Sequence, residues 1–311
     1  MLSRRGVRIK VMQVLFSLNR DDAFTFKEAK KRYWASIEEA FVLYLFNLYC
    51  LIQVSKESIS DGEKRKSKHL PSDEDKTFTP KIYENDLIQA LETNKKLQQQ
   101  FEQLNFSDKI NTDYVKKIYT EFSSNEAYKE YLAKASVKED HLEVLLELFR
   151  VCRKHEFFIE LMDDHFTNWL DDKSVVIGTV KKTLKELPEV EATHFKEYYP
   201  DDETCKAFGE VLLTDTYKKD EDLLKVIKPA LQNWDHERLA VIDMILLKMA
   251  LVEFLECVTI PTKVTLNEYV EVSKMYSTPK SKDFINGILD KLLKDLEEEG
   301  KINKEGRGLV N

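Results

Sequence analysis

The chain has 311 residues, of which 42% are hydrophobic and 33% charged. This composition excludes a disordered chain and a membrane span. Gly and Pro together account for 15 residues and are absent from 81–177. That share is roughly 5%, against ~12% in average proteins, which excludes a sandwich or barrel built on tight turns and disfavours an open α/β sheet. The formal charge of −8 argues against wholesale coating of nucleic acid.

The first predicted element is an amphipathic helix with a basic beginning. Apolar residues recur at helical spacing from Val7 to Leu18. Residues 1–20 contain five basic side chains and no acidic one. Arg4 and Arg8 lie one turn apart and share a side of this helix. The helix is therefore expected to bury one face and to carry arginines on its first turns.

A second helical stretch is predicted over residues 27–54. Its apolar part, 40–54, is shorter than the ~20 residues that a membrane span needs. It also contains Asn47 and Gln53, so a buried helix is the preferred interpretation. The next stretch, 55–80, is predicted to be a polar loop, because Ile59 and Leu70 are its only large apolar residues before Lys76.

Helical patterns resume after Pro80 and continue to the end of the chain. Pro188, Pro200 and Pro229 fall between these helices, where prolines are tolerated. A long amphipathic helix is predicted over 235–257. Thr265 and Glu268 have the spacing of a capping box, which predicts a helix start at residue 266. The predicted helices cover residues 82–104, 113–133, 137–170, 175–187, 202–217, 221–227, 235–257, 266–276 and 281–299.

Motifs for catalysis or metal binding are weak. The sequence has no glycine-rich phosphate loop, no G-x-S-x-G and no H-E-x-x-H. Cys152 and His155 could form a nucleophile pair, but a buried free cysteine is the commoner arrangement. The run from Asp163 to His165 is better explained as a solvated helix surface than as a metal site. The residues therefore give little support for catalysis, and we expect no cofactor and no metal.

The cysteine pattern and the N-terminus bear on the compartment. The four cysteines lie far apart, with no C-x-x-C pair. The N-terminus lacks the continuous apolar segment of a signal peptide. A cytoplasmic protein is the default expectation.

The basic helix start is the main functional signal from composition. Arginine pairs with phosphates and stacks on bases, and an aromatic residue such as Phe16 beside it suits single-stranded RNA. A merely solvated helix start is the competing interpretation.

Four sequence blocks resemble the NusB family. Residues 4–16, RRGVRIKVMQVLF, resemble its opening R-x-x-x-R followed by A-x-Q-x-L-[YF]. Residues 260–268, IPTKVTLNE, are similar to [IV]-P-x-K-V-x-[IL]-N-E, and residues 271–276, EVSKMY, to E-[LVI]-[AS]-K-x-[YF]. Residues 281–290, SKDFINGILD, match S-x-x-F-[VI]-N-G-[VI]-L-[DN]. The order and spacing also agree, so the chain resembles a lengthened NusB whose excess lies between the first block and the others.

The resemblance implies an all-α fold, a NusB-like bundle of two helical subdomains, here with extra inserted helices. We expect an N-terminal subdomain at 1–145 that includes the inserted helices and the polar loop 55–80. A C-terminal subdomain at 146–299 and a flexible tail at 300–311 would follow. The resemblance implies no enzymatic activity.

The resemblance also implies partners and a site. NusB proteins bind boxA RNA together with the ribosomal protein NusE, in antitermination complexes on RNA polymerase that support ribosomal RNA synthesis. No membrane or DNA partner is expected. Phe16 and Phe284 have the alternative of being core aromatics. The residues expected to face RNA are Arg4, Arg5, Arg8, Gln13, Phe16, Lys263, Ser281, Lys282 and Phe284.

Two other functions compete with RNA binding. A NusB-like domain precedes the catalytic domain of some ribosomal RNA cytosine methyltransferases, but no glycine-rich cofactor loop or Pro-Cys motif follows the last block here. The second alternative is a helical protein-interaction module of the NusB fold without RNA binding, which the extra helices and the acidic net charge support.

Overall fold

The computed structural model describes residues 1–231 and 239–305, and these residues form helices with no strand. The prediction of an all-α fold is confirmed. The first half of the chain forms helices α1 (Arg4–Arg20), α2 (Phe26–Lys66), α3 (Asp73–Thr77), α4 (Lys81–Glu84), α5 (Asp86–Glu92), α6 (Lys95–Gln103), α7 (Phe106–Lys109), α8 (Thr112–Ser123) and α9 (Glu126–Ala133). The second half forms α10 (Lys138–Lys154), α11 (Glu156–His165), α12 (Trp169–Glu186), a 3₁₀ turn (His194–Tyr198), a π-helix (Glu203–Glu210), α13 (Val211–Lys218), α14 (Asp220–Ile227), a 3₁₀ turn (Lys228–Leu231), α15 (Val241–Glu256), α16 (Thr262–Tyr276) and α17 (Ser281–Glu298).

The chain folds into two compact units whose boundaries differ from the predicted ones. The inserted unit comprises residues 38–199 together with Met1, and the bundle unit comprises residues 2–37 and 200–311. The predicted boundary at residue 145 lies inside α10. This helix packs on α8, α9 and α12 of the inserted unit, so a division there would cut through one core. The structural division replaces the predicted one.

The inserted unit is built around the apolar part of α2. Residues 43–46 of this helix are fully buried, and they belong to a core that continues to Tyr198. Helix α2 is the one described helix long and apolar enough to cross a membrane, and 67% of its apolar window is buried within the protein. Burial of this kind is what the sequence predicted for residues 40–54.

The predicted polar loop at 55–80 is largely wrong. Helix α2 continues to Lys66, and the hydroxyl groups of Ser55 and Ser58 turn back to donate hydrogen bonds to backbone carbonyls within the helix. Arg65 pairs with Asp61 one turn earlier at 3.0 Å. A second helix, α3, then begins with a capping box formed by Ser72 and Asp75. Polar composition here marks a helix with a buried face of small residues, which includes Ser55 and Ser58, rather than a loop.

In the bundle unit, α1 packs against the π-helix and α15, and α15 packs against α16 and α17. Gly209 allows the π-helix to approach α1 closely. A Cβ atom at this position would lie 2.4 Å from Val7 Cγ1 and 2.0 Å from Tyr33 Oη. The Tyr33 hydroxyl donates a 2.6 Å hydrogen bond to the backbone carbonyl of Cys205 in the same π-helix.

The described part of the predicted tail is attached to the end of α15. The Lys304 ammonium donates to the carbonyls of Glu253 and Cys257 at 2.8 and 2.9 Å. The amide of Glu305 donates to the Val258 carbonyl at 2.9 Å. These contacts differ from the expected flexible tail for residues 300–305, and residues 306–311 lie outside the described residues. The predicted start of the long helix at Asp235 also lies outside them, and α15 begins at Val241.

Candidate functional site

The first turn of α1 presents two arginines whose guanidinium groups are partly exposed. Ser3 caps the helix by accepting a 3.2 Å hydrogen bond from the amide of Gly6. Arg4, 38% exposed, pairs with Glu203 at 3.1 Å. Arg5, 46% exposed, forms two parallel hydrogen bonds to the carboxylate of Glu268, at 2.8 and 2.7 Å. The Arg5 guanidinium holds the pKa of Glu268 below its usual range.

Arg8, one turn further on, is buried. Its side chain is 2% exposed, and its Nε and Nη2 donate to the carboxylate of Glu253 at 2.9 and 2.5 Å. The guanidinium also lies over the rings of Phe208 and Tyr269, 5.2 and 5.7 Å from their centroids. Burial alone would lower the pKa of Arg8, but the hydrogen bonds and charge of Glu253 outweigh it and leave the pKa raised.

Glu253 is the centre of a closed hydrogen-bond network. Its side chain is completely buried. Besides Arg8, the Thr265 hydroxyl donates to its Oε1 at 2.8 Å and the Tyr269 hydroxyl donates to its Oε2 at 3.1 Å. Burial raises the pKa of Tyr269 well above its usual value, so the phenol keeps the proton that it donates. The network joins α1, α15 and α16 through charged groups that have partners, as buried charges require.

The capping box that the sequence predicted at Thr265 and Glu268 is wrong. Helix α16 begins at Thr262, directly after Pro261, so both residues lie inside the helix. The Thr265 hydroxyl bonds to Glu253, and the Glu268 carboxylate bonds to Arg5. The T-x-x-E spacing serves contacts between helices instead of a helix start.

A second polar cluster fixes the start of α17. Ser281 is 2% exposed, and its hydroxyl donates to Asp243 Oδ2 at 2.7 Å. The Ser277 hydroxyl donates to the other oxygen of Asp243 at 2.6 Å. The start of α17 is therefore bound to the start of α15. The next residue, Lys282, is exposed, and Phe284 is half-buried.

The remaining predicted residues lie on helix surfaces of the bundle unit. Gln13 and Phe16 are both half-buried on α1, and the Arg20 guanidinium lies 5.4 Å from the centre of the Phe16 ring. Lys263 is exposed on the first turn of α16, the helix that holds Arg5 through Glu268.

The predicted residues form two groups rather than one cluster. The Glu253 network joins the start of α1 to the end of α15, while Asp243 and Ser281 join the start of α15 to the start of α17. Leu15 and Leu18 of α1 line a groove with residues near the start of α15. One group therefore contains the first turns of α1 and α16, and the other contains the end of α1 and the start of α17. Helix α1 spans about 16 Å between them, from Arg5 to Phe16, at 1.5 Å per residue.

Sequence reasoning missed the carboxylates that hold the arginines. Glu253 lies in a strongly apolar helix, and an acidic residue in such a stretch is a signal for a buried cationic partner. Phe208, which lies beside both Arg4 and Arg8, had no comparable signal because it belongs to a π-helix almost 200 residues later in the chain.

The weaker catalytic candidates take structural roles. Cys152 is buried, which raises the pKa of its thiol to about 12, so the thiolate needed for attack is scarce at neutral pH. The Nδ1 atom of His155 accepts the amide of Phe157 at 3.2 Å and caps α11. Within the described residues no group of three or more potential ligands is arranged to hold a metal ion.

The bundle unit defines a class of protein: an all-α bundle whose first helix carries arginines held by acidic residues of later helices. The model of the NusB family matches residues 179–294. "Transcription antitermination protein NusB" of Salinibacter ruber is 41% identical over 110 residues, which are 35% of this chain and 69% of that protein. The protein of the same name from Thermodesulfovibrio yellowstonii is 36% identical over 107 residues, 34% of this chain and 71% of that protein.

A third relative with this name, from Chloroherpeton thalassium, is 44% identical over 79 residues, 25% of this chain and 37% of that protein. No solved structure matches the chain significantly. The chain belongs to the NusB family, and it is a lengthened member because it exceeds these relatives in length.

Proposed function

We propose that this protein is an RNA-binding transcription antitermination factor. It binds boxA-like single-stranded RNA together with NusE, joins an antitermination complex on RNA polymerase and supports ribosomal RNA transcription. It acts in the cytoplasm, without catalysis and without a cofactor. The proposal is supported by membership of the NusB family and by relatives named as transcription antitermination proteins.

The observation that carries the proposal is the partly exposed pair of arginines on the first turn of α1. Arg4 and Arg5 each bind a carboxylate while staying partly exposed. A guanidinium that binds a carboxylate through two parallel hydrogen bonds has the geometry that also suits a phosphate. An RNA phosphate can therefore take the place of Glu203 or Glu268 with little movement of the arginine.

The expected RNA-facing residues divide into contact and positioning roles. Arg8 and Ser281 are buried and bonded to carboxylates, so we assign them the positioning of α1 and α17. Contacts with RNA are assigned to Arg4, Arg5 and Lys263 at one end of the surface. Gln13, Phe16, Lys282 and Phe284 are assigned to the other end, about 16 Å away along α1. This separation suits an extended strand better than a compact ligand.

The experiment measures RNA binding by fluorescence anisotropy. A boxA-like single strand and a scrambled strand are titrated with the full chain, with and without NusE, at several salt concentrations. The test variant is Arg4→Ala/Arg5→Ala. The matched control is Lys27→Ala/Lys31→Ala, which removes two exposed charges from α2 of the same unit.

We expect preference for the boxA-like strand, enhanced by NusE, and weaker binding by the arginine variant alone. Each lost phosphate contact lowers the salt dependence of log K by about 0.7 for single strands, so two lost contacts lower it by roughly 1.4. Equal affinity for both strands under all conditions, with folding intact, would contradict the proposal. That result would favour the protein-interaction module instead.

A further inference from the structure

The inserted unit contains a cleft in which four of the eight lining residues are cationic and two are acidic. The basic cleft lies on α10 and α12, with a volume of about 430 Å³. Its charged lining consists of Arg150, Arg153, Lys181 and Lys185 with Glu143 and Glu147. Residues 38–199 as a whole contain 31 acidic and 23 basic side chains. The positive net charge of the cleft lining therefore contrasts with the negative net charge of the unit as a whole.

The cations of the cleft exceed the carboxylates that could neutralise them. Glu147 is already engaged, because it accepts from Asn125 Nδ2 at 2.7 Å and from Arg150 Nε at 2.6 Å. Arg153, Lys181 and Lys185 form no ion pair with any described residue. Glu143 is the remaining carboxylate in the lining, so a positive excess is left for an external anion.

Arg153 has an unused hydrogen-bond donor. Its Nε atom is buried and has no hydrogen-bond partner among the described residues. The guanidinium lies 5.2 Å from the centre of the Phe149 ring, which limits its freedom to turn towards water. Partial burial, followed by the charge of Arg150, lowers the pKa of Arg153. A buried donor without a partner is costly, and an anion in the cleft would satisfy it.

The spacing of the cations suits a chain of phosphates. Lys181 and Lys185 are both exposed and lie one turn apart on α12. Arg150 and Arg153 are three residues apart on the neighbouring α10. Side chains at these spacings are neighbours on a helix surface, with about 5–6 Å between Cβ atoms. Two adjacent pairs of cations can therefore contact successive phosphates of one strand.

From these observations we infer that the basic cleft is a second phosphate-binding site that holds the backbone of single-stranded RNA. The inference rests on the proposed function, which supplies a phosphodiester ligand. The inserted unit then binds a stretch of RNA without reading its bases, because Lys and Arg contacts to phosphates carry no sequence information.

The test uses the full chain with the substitutions Lys181→Glu/Lys185→Glu. Both lysines are exposed and without ion pairs to the described residues, so the fold should tolerate the change, and Lys181→Gln/Lys185→Gln provides a milder second variant. The matched control is Lys95→Glu/Lys96→Glu, an equal change of charge at two exposed residues of α6 in the same unit. The probes are a fluorescein-labelled single-stranded RNA, long and with a boxA-like segment, and a labelled polyglutamate peptide.

We expect the cleft variants to bind the RNA more weakly, with the salt slope of log K lowered by about 1.4 for two lost contacts. The α6 control should keep the RNA affinity and the salt slope of the wild type. If the cleft variants bind RNA as the wild type does while Arg4→Ala/Arg5→Ala does not, the inference about the cleft is overturned and the proposed function stands. Absence of RNA binding by the wild type overturns both. Polyglutamate binding that depends on Lys181 and Lys185, with RNA affinity unchanged, also overturns the inference and identifies an acidic protein as the occupant.

Discussion

Replacing Arg8 by Met isolates the buried charge at the centre of the bundle unit. The substitution leaves the Glu253 carboxylate with the hydroxyl groups of Thr265 and Tyr269 and without a cation. Removing one partner of a buried ion pair costs about 3–5 kcal/mol. Since 1.4 kcal/mol corresponds to a factor of ten, amides of α1 and α16 should exchange with solvent roughly a hundredfold to a few thousandfold faster.

Hydrogen exchange measured by mass spectrometry is the appropriate assay, because it resolves the two units of one chain. Peptides from residues 38–199 are the internal control and should keep their rates. The double variant Arg8→Met/Glu253→Gln should exchange more slowly than Arg8→Met, because the amide removes the buried charge, keeps an acceptor for one of the two hydroxyls and can donate to the other. Acceleration below tenfold for Arg8→Met, or no recovery in the double variant, would refute the role of the ion pair.

Two further predictions concern the same unit. Gly209→Ala should lower the stability of the bundle unit by about 1–3 kcal/mol, the cost of overpacking, because the new Cβ would lie 2.4 Å from Val7. Thermal unfolding measures this loss, with Gly178→Ala as the control because no atom lies within 4 Å of a Cβ placed there. A loss for Gly209→Ala no larger than that for Gly178→Ala would contradict the prediction. Arg5 lowers the pKa of Glu268, so this pair stabilises the fold above the ordinary glutamate pKa, about 4.3, and the stabilisation is lost as the pH falls through the lowered value. Urea unfolding of wild type and Glu268→Gln across this range should show a difference that disappears in acid, and a difference independent of pH would exclude the ion pair as its source.

The helices of this protein were predictable because their cause is local. The apolar spacing of α1 predicted both the helix and the position of its arginines. The exposure of those arginines was not predictable in the same way. Arg4 and Arg8 share a side of the helix, yet Arg8 is buried because Glu253, 245 residues later, reaches it. A contact over that distance leaves no trace in the spacing of α1.

The errors of the sequence analysis have the same origin. Composition predicted a loop after Ser55, but Ser55 and Ser58 lie on a fully buried face of the helix, and Tyr119, 58 residues later, donates a hydrogen bond to Asp61. The domain boundary was placed by order along the chain. The bundle unit, however, combines residues 2–37 with residues 200–311, so only the contacts of the folded chain define it.

The π-helix at Glu203–Glu210 makes the residue count of this segment as important as its residue types. Each residue turns an α-helix by about 100°, and π-helical segments accommodate an extra residue within such a helix. Deleting a single residue would restore the ordinary winding and rotate Phe208 away from the guanidinium of Arg8. We therefore expect the segment to tolerate many substitutions at its exposed positions, such as Lys206, but no insertion or deletion. In this part of the molecule, a deletion that removes no contacting side chain would still disrupt the support of the arginines.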